Sequence, residues 1–164
     1  MKIAPLVYGL IVGCVLLPVV RAEDAPAEPT SRLVERIQDK LGRKLAPVPR
    51  AKILEIEKEV TEKTKAAHTA YLKEAASASG FTEQGIEGLV SAEELMKRDA
   101  DKDLVAAIQK ATGKVPKPAE KSGVVRALRN RRQTIVALQD KLAQAIAMYT
   151  GMRRDQIDAV IKGD

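Results

Sequence analysis

From residue 31 onward the apolar residues recur at spacings of three and four, the period of a helix with one buried face. Leu33, Ile37, Leu41 and Leu45 follow Ser31, a good N-cap residue, and predict a first helix over roughly 31–45. Pro47 and Pro49 are expected to end it, because proline lacks an N–H and crowds the preceding turn. Ile53, Ile56, Val60, Thr64, Ala67, Tyr71, Ala75 and Ala78 then step by 3, 4, 4, 3, 4, 4, 3, an eleven-residue pattern close to the natural helix pitch. This predicts a long helix over 51–79 with little supercoil, and the small Thr64 and Ala67 at its middle imply a close helix partner. Gly80 supplies a left-handed stop, and Phe81 and Ile86 hold the staple positions around an N-cap at Thr82. A sharp corner into a short helix over 83–90 is expected.

Ser91 and Glu94 stand at capping-box spacing, and Met96, Ala100, Leu104, Ala107, Ile108 and Ala111 form the stripe of the next helix. After a loop from Gly113 to Lys121, Ser122 is expected to cap a helix of roughly 40 Å reaching Tyr149. Its Leu128, Ile135, Leu138, Leu142, Ala145 and Tyr149 recur at heptad spacing, which places Ile135, Leu138 and Leu142 in the core. Ile157, Val160 and Ile161 mark a last short helix after Gly151.

These elements repeat. Displaced by 71 residues, Leu33, Val34, Ile37, Gln38 and Gly42 fall on Leu104, Val105, Ile108, Gln109 and Gly113, and Pro47 falls on Pro118 without a gap. Gly80, Phe81, Ile86, Glu87, Gly88, Leu89 and Val90 meet Gly151, Met152, Ile157, Asp158, Ala159, Val160 and Ile161. Identities are sparse, but chance similarity between amphipathic segments does not also align the glycine and proline punctuation. The expected fold class is therefore all-α, a helical bundle of two tandem three-helix units, 31–91 and 102–162, within one domain over 31–164. Neither unit buries much alone, so both are expected to share one core.

Residues 1–22 have the layout of a secretory signal: Lys2, an apolar run from Ile3 to Val20, and small residues at Val20 and Ala22 before a polar stretch. Cleavage is expected after Ala22, and 23–30 is expected to be a disordered linker. A membrane anchor needs about 20 apolar residues, which a run broken by Pro5, Gly9, Gly13 and Pro18 barely reaches. Ile11, Val12, Gly13 and Cys14 also match a lipobox, so a lipoprotein anchored at Cys14 is the alternative. Against it, Val15–Val20 would form an apolar stub where lipoproteins carry a polar tether. Cys14 is the single cysteine, so cleavage leaves neither disulfide nor thiolate chemistry. Loss of Lys2 and Arg21 lowers the formal charge from +6 to +4.

No tryptophan and one phenylalanine disfavour sheet structure. They also leave no aromatics interleaved with the basic residues to stack bases, so no nucleic acid is expected as a partner. His68, the only histidine, has Thr64, Lys65, Tyr71 and Leu72 one turn away, none a partner ligand for a metal. Asp99, Asp101 and Asp103 alternate like the opening of a calcium loop. Leu104 then stands where that loop needs glycine, and Lys110 where it needs glutamate, so a solvated helical face is expected instead. With no serine–histidine pair, phosphate-binding glycine loop or metal cluster in the pattern, no enzyme and no cofactor are expected.

The charge distribution carries more. Lys110, Lys114, Lys117, Lys121, Arg126, Arg129, Arg131 and Arg132 are opposed locally only by Glu120, and Arg126, Arg129 and Arg132 are expected to share a face. The stretch from Glu83 to Asp103 holds seven acids against three bases, so the simpler reading pairs the two stretches within the molecule or between copies. The alternative is an anionic-partner site formed by Lys121, Arg126, Arg129 and Arg132.

At the two corners the sequence resembles Spy/CpxP-type periplasmic proteins, which are small, exported and helical and carry two Leu-Thr-x-x-Gln helix starts. Phe81 and Thr82 suit Leu-Thr, with Gly85 replacing Gln; Met152 and Gln156 suit Leu and Gln, with Arg153 replacing Thr. The resemblance covers two short segments and implies binding of unfolded proteins under envelope stress, or metal-responsive signalling. Four methionines and one histidine disfavour the metal branch. The expectation is an exported periplasmic or extracellular protein that binds a protein, an anionic envelope component, a membrane surface or a second copy of itself. A Spy/CpxP-type chaperone or stress sensor is the alternative.

Overall fold

The computed structural model describes residues 30–91 and 93–163. The expected signal peptide 1–22, Cys14 and most of the expected linker lie outside the described residues. Among the described residues there are six α-helices and no strand, as the apolar spacing predicts. They are α1 Arg32–Leu41, α2 Pro47–Ser79, α3 Glu83–Glu87, α4 Ala100–Thr112, α5 Pro118–Thr150 and α6 Arg154–Lys162, with a 3-10 turn at Glu94–Met96.

Two 33-residue helices, α2 and α5, form the spine, each roughly 50 Å long at 1.5 Å per residue. Ala78 abuts Gly123, the Tyr71 ring lies by Arg131, and Glu59 pairs with Lys141 at 2.6 Å, so one number rises as the other falls and the helices run antiparallel. Both start on a proline. Pro47 and Pro49 were expected to end a helix, but they open α2, where the first N–H groups have no helical partner and proline costs nothing. Pro118 opens α5 four residues before the expected Ser122 cap, and the Glu120 carboxylate accepts from the Lys117 N–H at 2.8 Å.

The first helix stops at Leu41, short of the expected 45, because Gly42 turns left-handed (φ 64°) and its N–H returns to the Asp39 and Gln38 carbonyls. Leu45 is still buried, held outside the helix by its N–H to Gln38 Oε1 at 3.0 Å. The Ser31 cap forms as expected, accepting from the Val34 N–H at 3.2 Å. So does the corner at Thr82, whose hydroxyl accepts from the Gly85 N–H at 3.0 Å while Ile86 is buried. That helix ends at Glu87, short of 90. Ser91 and Glu94 form the reciprocal cap, yet only the 3-10 turn follows, and α4 begins at Ala100. Across this break the carbonyls of Leu95 and Lys97 accept from the Arg132 guanidinium.

The expectation of one shared core needs correction. The buried apolar residues form two clusters, one at each end of the spine, each built from both halves of the chain. One gathers Leu33, Val34 and Ile37 of α1, Ile53 and Val60 of α2, Leu138, Leu142 and Ile146 of α5, and Ile157 and Val160 of α6. The other gathers Tyr71, Leu72 and Ala75 of α2, Ile86 of α3, Leu104 and Ile108 of α4, and Val124 and Leu128 of α5. Ile135, Leu138 and Leu142 are buried as expected. Thr64 and Ala67 lie half-buried, and neither belongs to a cluster.

Candidate functional site

The basic stretch runs from the end of α4 through the first half of α5, and its residues do different things there. Lys121, Arg126 and Arg129 are exposed, while Arg132 is half-buried. Lys121 borders a shallow groove with Asp101, Lys102 and Val105 of α4; Arg126 borders another with Lys73, Glu74 and Ser77 of α2. At about 100° per residue the four positions cover an arc of roughly 140° around α5, wider than one shared face. Arg132 is committed elsewhere: its Nε donates to the Leu95 carbonyl at 2.7 Å and its Nη2 to the Lys97 carbonyl. It clasps the 3-10 turn onto α5.

No ion pair among the described residues links the acid-rich stretch to these bases, although Asp101 shares a groove with Lys121. Among the described residues the ion pairs are Lys52–Glu55, Lys63–Glu59, Lys102–Asp99, Lys141–Glu59, Arg153–Asp155, Arg154–Asp140 and Arg154–Asp158. None joins an acid of residues 83–103 to a base between Lys110 and Arg132. The acids are used locally instead. Glu94 accepts from the Ser91 N–H and hydroxyl, which lowers its pKa. Asp99 occupies the N-cap position of α4, and Asp101 and Asp103 its first turn, where negative charge meets the positive end of the helix dipole.

Arg131, counted among the surface bases, is a core residue. It fills the position between Leu128 and Ile135 on the buried stripe of α5 and is 5% exposed. Its guanidinium carbon lies 5.8 Å from the Tyr71 ring centroid, and its Nη1 lies 3.6 Å from Met96 Sδ. Neither contact brings a counter-charge, and Nε has no hydrogen-bond partner among the described residues. Tyr71 Oη and His68 Nδ1 are likewise buried without a partner, and the His68 ring stands 5.9 Å from that of Tyr71.

Three neighbouring side chains thus each bury a polar atom without a hydrogen-bond partner among the described residues. Burial lowers the Arg131 pKa, with Tyr71 opposing and Arg132 adding to the shift. Burial raises Tyr71 to about 12. It also lowers His68, helped by Arg131 and opposed by Glu87. A cavity of about 190 Å³ opens beside the pair, lined by Ala67, Ala70, Glu74, Ala127, Asn130 and Thr134 together with Tyr71 and Arg131. The sequence carried a signal for it: the heptad stripe jumps seven residues from Leu128 to Ile135, and the skipped position is a charged one.

Among the described residues no three His, Cys, Asp or Glu side chains gather as a metal site, and no helix is long and apolar enough to cross a membrane. Compared with known proteins, the chain matches no family model, no curated protein and no solved structure.

Proposed function

We propose that this is a non-enzymatic, exported protein of the cell envelope whose α4–α5 surface holds an anionic macromolecular partner. The observation that carries the reading is the lack of internal ion pairs, among the described residues, for Lys121, Arg126 and Arg129, although seven acids stand just before them in the chain. Unpaired exposed bases project a field that attracts a polyanionic surface. The secretory layout of residues 1–22 supports an envelope partner: anionic lipid headgroups, a phosphate-rich polymer or the acidic face of another protein.

We read the chain as two tandem units. In support, α2 and α5 have equal length and bounds that differ by 71 residues, and left-handed Gly42 and Gly80 correspond to Gly113 and Gly151 at that displacement. Arg126, Arg129 and Arg132 correspond to Glu55, Lys58 and Thr61, so one unit carries the charge and the other does not. A chaperone-like reading of the Spy/CpxP kind needs a contiguous exposed apolar face. The exposed large apolar residues Val48, Met96, Val115, Val136 and Met148 are dispersed over α2, the 3-10 turn, the α4–α5 loop and α5. On α5 itself, Val136 and Met148 point about 120° apart.

The test is flotation of the mature chain with anionic and with neutral vesicles, for wild type and for Lys121→Glu/Arg126→Glu/Arg129→Glu. Arg132 is left intact because it holds the 3-10 turn. Each basic residue contributes about 1 kcal/mol at an anionic surface, so the triple variant should bind on the order of 100-fold more weakly. Equal binding by both proteins would remove α5 as the site.

A further inference from the structure

We propose that the cavity between α2 and α5 at Arg131 and Tyr71 is a binding site for a small organic monocarboxylate, separate from the surface site on α5.

The fold does not require a charge at this place. At the 71-residue displacement Arg131 falls on Val60 and Tyr71 on Leu142, and both of those residues lie in the apolar cluster at the other end of the spine. The same helix pair is thus closed by valine and leucine at one end and by arginine and tyrosine at the other. A buried guanidinium without a counter-charge destabilises a fold, and an apolar replacement of similar volume is commonly neutral or stabilising. The described residues give Arg131 a ring face and a thioether but no carboxylate within ion-pair distance, and they leave Nε unbonded. A carboxylate supplied from outside completes the site.

The walls define the ligand class. The planar fork of a guanidinium matches a planar carboxylate in two parallel hydrogen bonds. Arg131 Nε–H and the Tyr71 hydroxyl, both buried and unbonded, are the donors that would turn toward an oxyanion held there. Ala67, Ala70 and Ala127 leave room for a short apolar body, while Asn130 and Thr134 offer polar contacts beside it. The exposed Glu74 carboxylate on the same wall repels a second negative charge, which favours a monoanion over phosphate. The volume of about 190 Å³ suits a molecule of a few carbons.

Thermal unfolding of the mature protein at constant ionic strength tests this with acetate, butyrate and phosphate as probes and chloride as the reference salt. The proteins are wild type, Arg131→Met, Arg131→Val/Tyr71→Leu, and the surface control Arg129→Gln. Wild type and Arg129→Gln should show a saturable rise in midpoint with butyrate, a smaller one with acetate and none with phosphate, while both Arg131 variants show no rise. The Arg131→Val/Tyr71→Leu protein, which copies the apolar pair of the other end, should fold and have a midpoint at least equal to that of ligand-free wild type. A rise shared by all four proteins would be a bulk solvent effect and would overturn the site, as would the absence of any rise in wild type. A response to phosphate alone would overturn the carboxylate assignment. Loss of the response in Arg129→Gln with Arg131 intact would move the anion to the surface and refute the cavity. Failure on vesicles would leave this result untouched, since the two experiments share no substituted residue except that control.

Discussion

Replacing Gly123 by alanine sets two effects of similar size against each other. A Cβ built on Gly123 would stand 2.7 Å from the Ala78 Cβ and 3.8 Å from its Cα. Carbon atoms pack best at about 3.5–4.0 Å, so α2 and α5 must part by roughly 1 Å where they cross. Neither side can yield cheaply, because Ala78 is itself a Cβ on a helix backbone and its neighbours Tyr71, Ala75, Val124 and Ala127 are buried. Overpacking of this kind costs about 1–3 kcal/mol. Helix propensity pulls the other way, since alanine in a helix interior is about 1 kcal/mol better than glycine. The net expectation for Gly123→Ala is a loss of about 0–2 kcal/mol. The reciprocal variant settles the cause: Ala78→Gly alone loses about 1 kcal/mol of propensity, but in the double variant it removes the clash and the two propensity changes cancel. Urea unfolding of the four proteins should give a favourable coupling of about 1–3 kcal/mol. Additive effects, with Gly123→Ala stabilising by about 1 kcal/mol, would mean that the helices do not meet at this pair.

Leu138→Ala should cost about 2–5 kcal/mol by denaturant unfolding, since the side chain is 8% exposed within the α1–α6 cluster, and an unchanged midpoint would place that stripe in solvent. His68 is held below its ordinary pKa of 6.5, so the unfolded chain binds more protons than the folded one as pH falls through that value, and stability should drop with it. Residues facing it are Tyr71, Arg131 and Glu87. The wild type should lose stability relative to His68→Gln between about pH 7.5 and 5.5. Glu59, held at about 2 by Lys141 and Lys63, acts only below its ordinary 4.5 and leaves that window clear. Identical pH profiles for the two proteins would show that the imidazole titrates as freely when folded as when unfolded.

Helix number and order were legible because each buried face repeats at the helical period. Element ends were read less well, and for identifiable reasons. Proline forbids a helix interior but suits a first turn, so Pro47 marked a boundary without saying on which side the helix lay. Leu45 continued the fourfold spacing by one step although Gly42 had already turned the chain. The gap before α4 is bridged by Arg132, which comes more than thirty residues later and donates to the Leu95 and Lys97 carbonyls. No local pattern reports a clasp of that range. The candidate site divides in the same way. Exposure of Lys121, Arg126 and Arg129 follows from their places on the polar arc of α5, whereas Arg131 differs from its neighbour only by 100° of helix rotation and is buried. Charge counting along the chain put both in one patch; the heptad phase of Leu128 and Ile135 separates them.

The proposed surface site requires α5 to present unpaired positive charge to an anionic envelope surface. The salt dependence of its binding to anionic vesicles tests this most directly, because exposed charges are screened beyond about 8 Å at physiological ionic strength. Wild-type affinity should fall steeply between low and physiological salt, while the weak residual binding of Lys121→Glu/Arg126→Glu/Arg129→Glu stays nearly flat. Wild-type binding that is strong and independent of salt, or a salt slope equal in the two proteins, would contradict it.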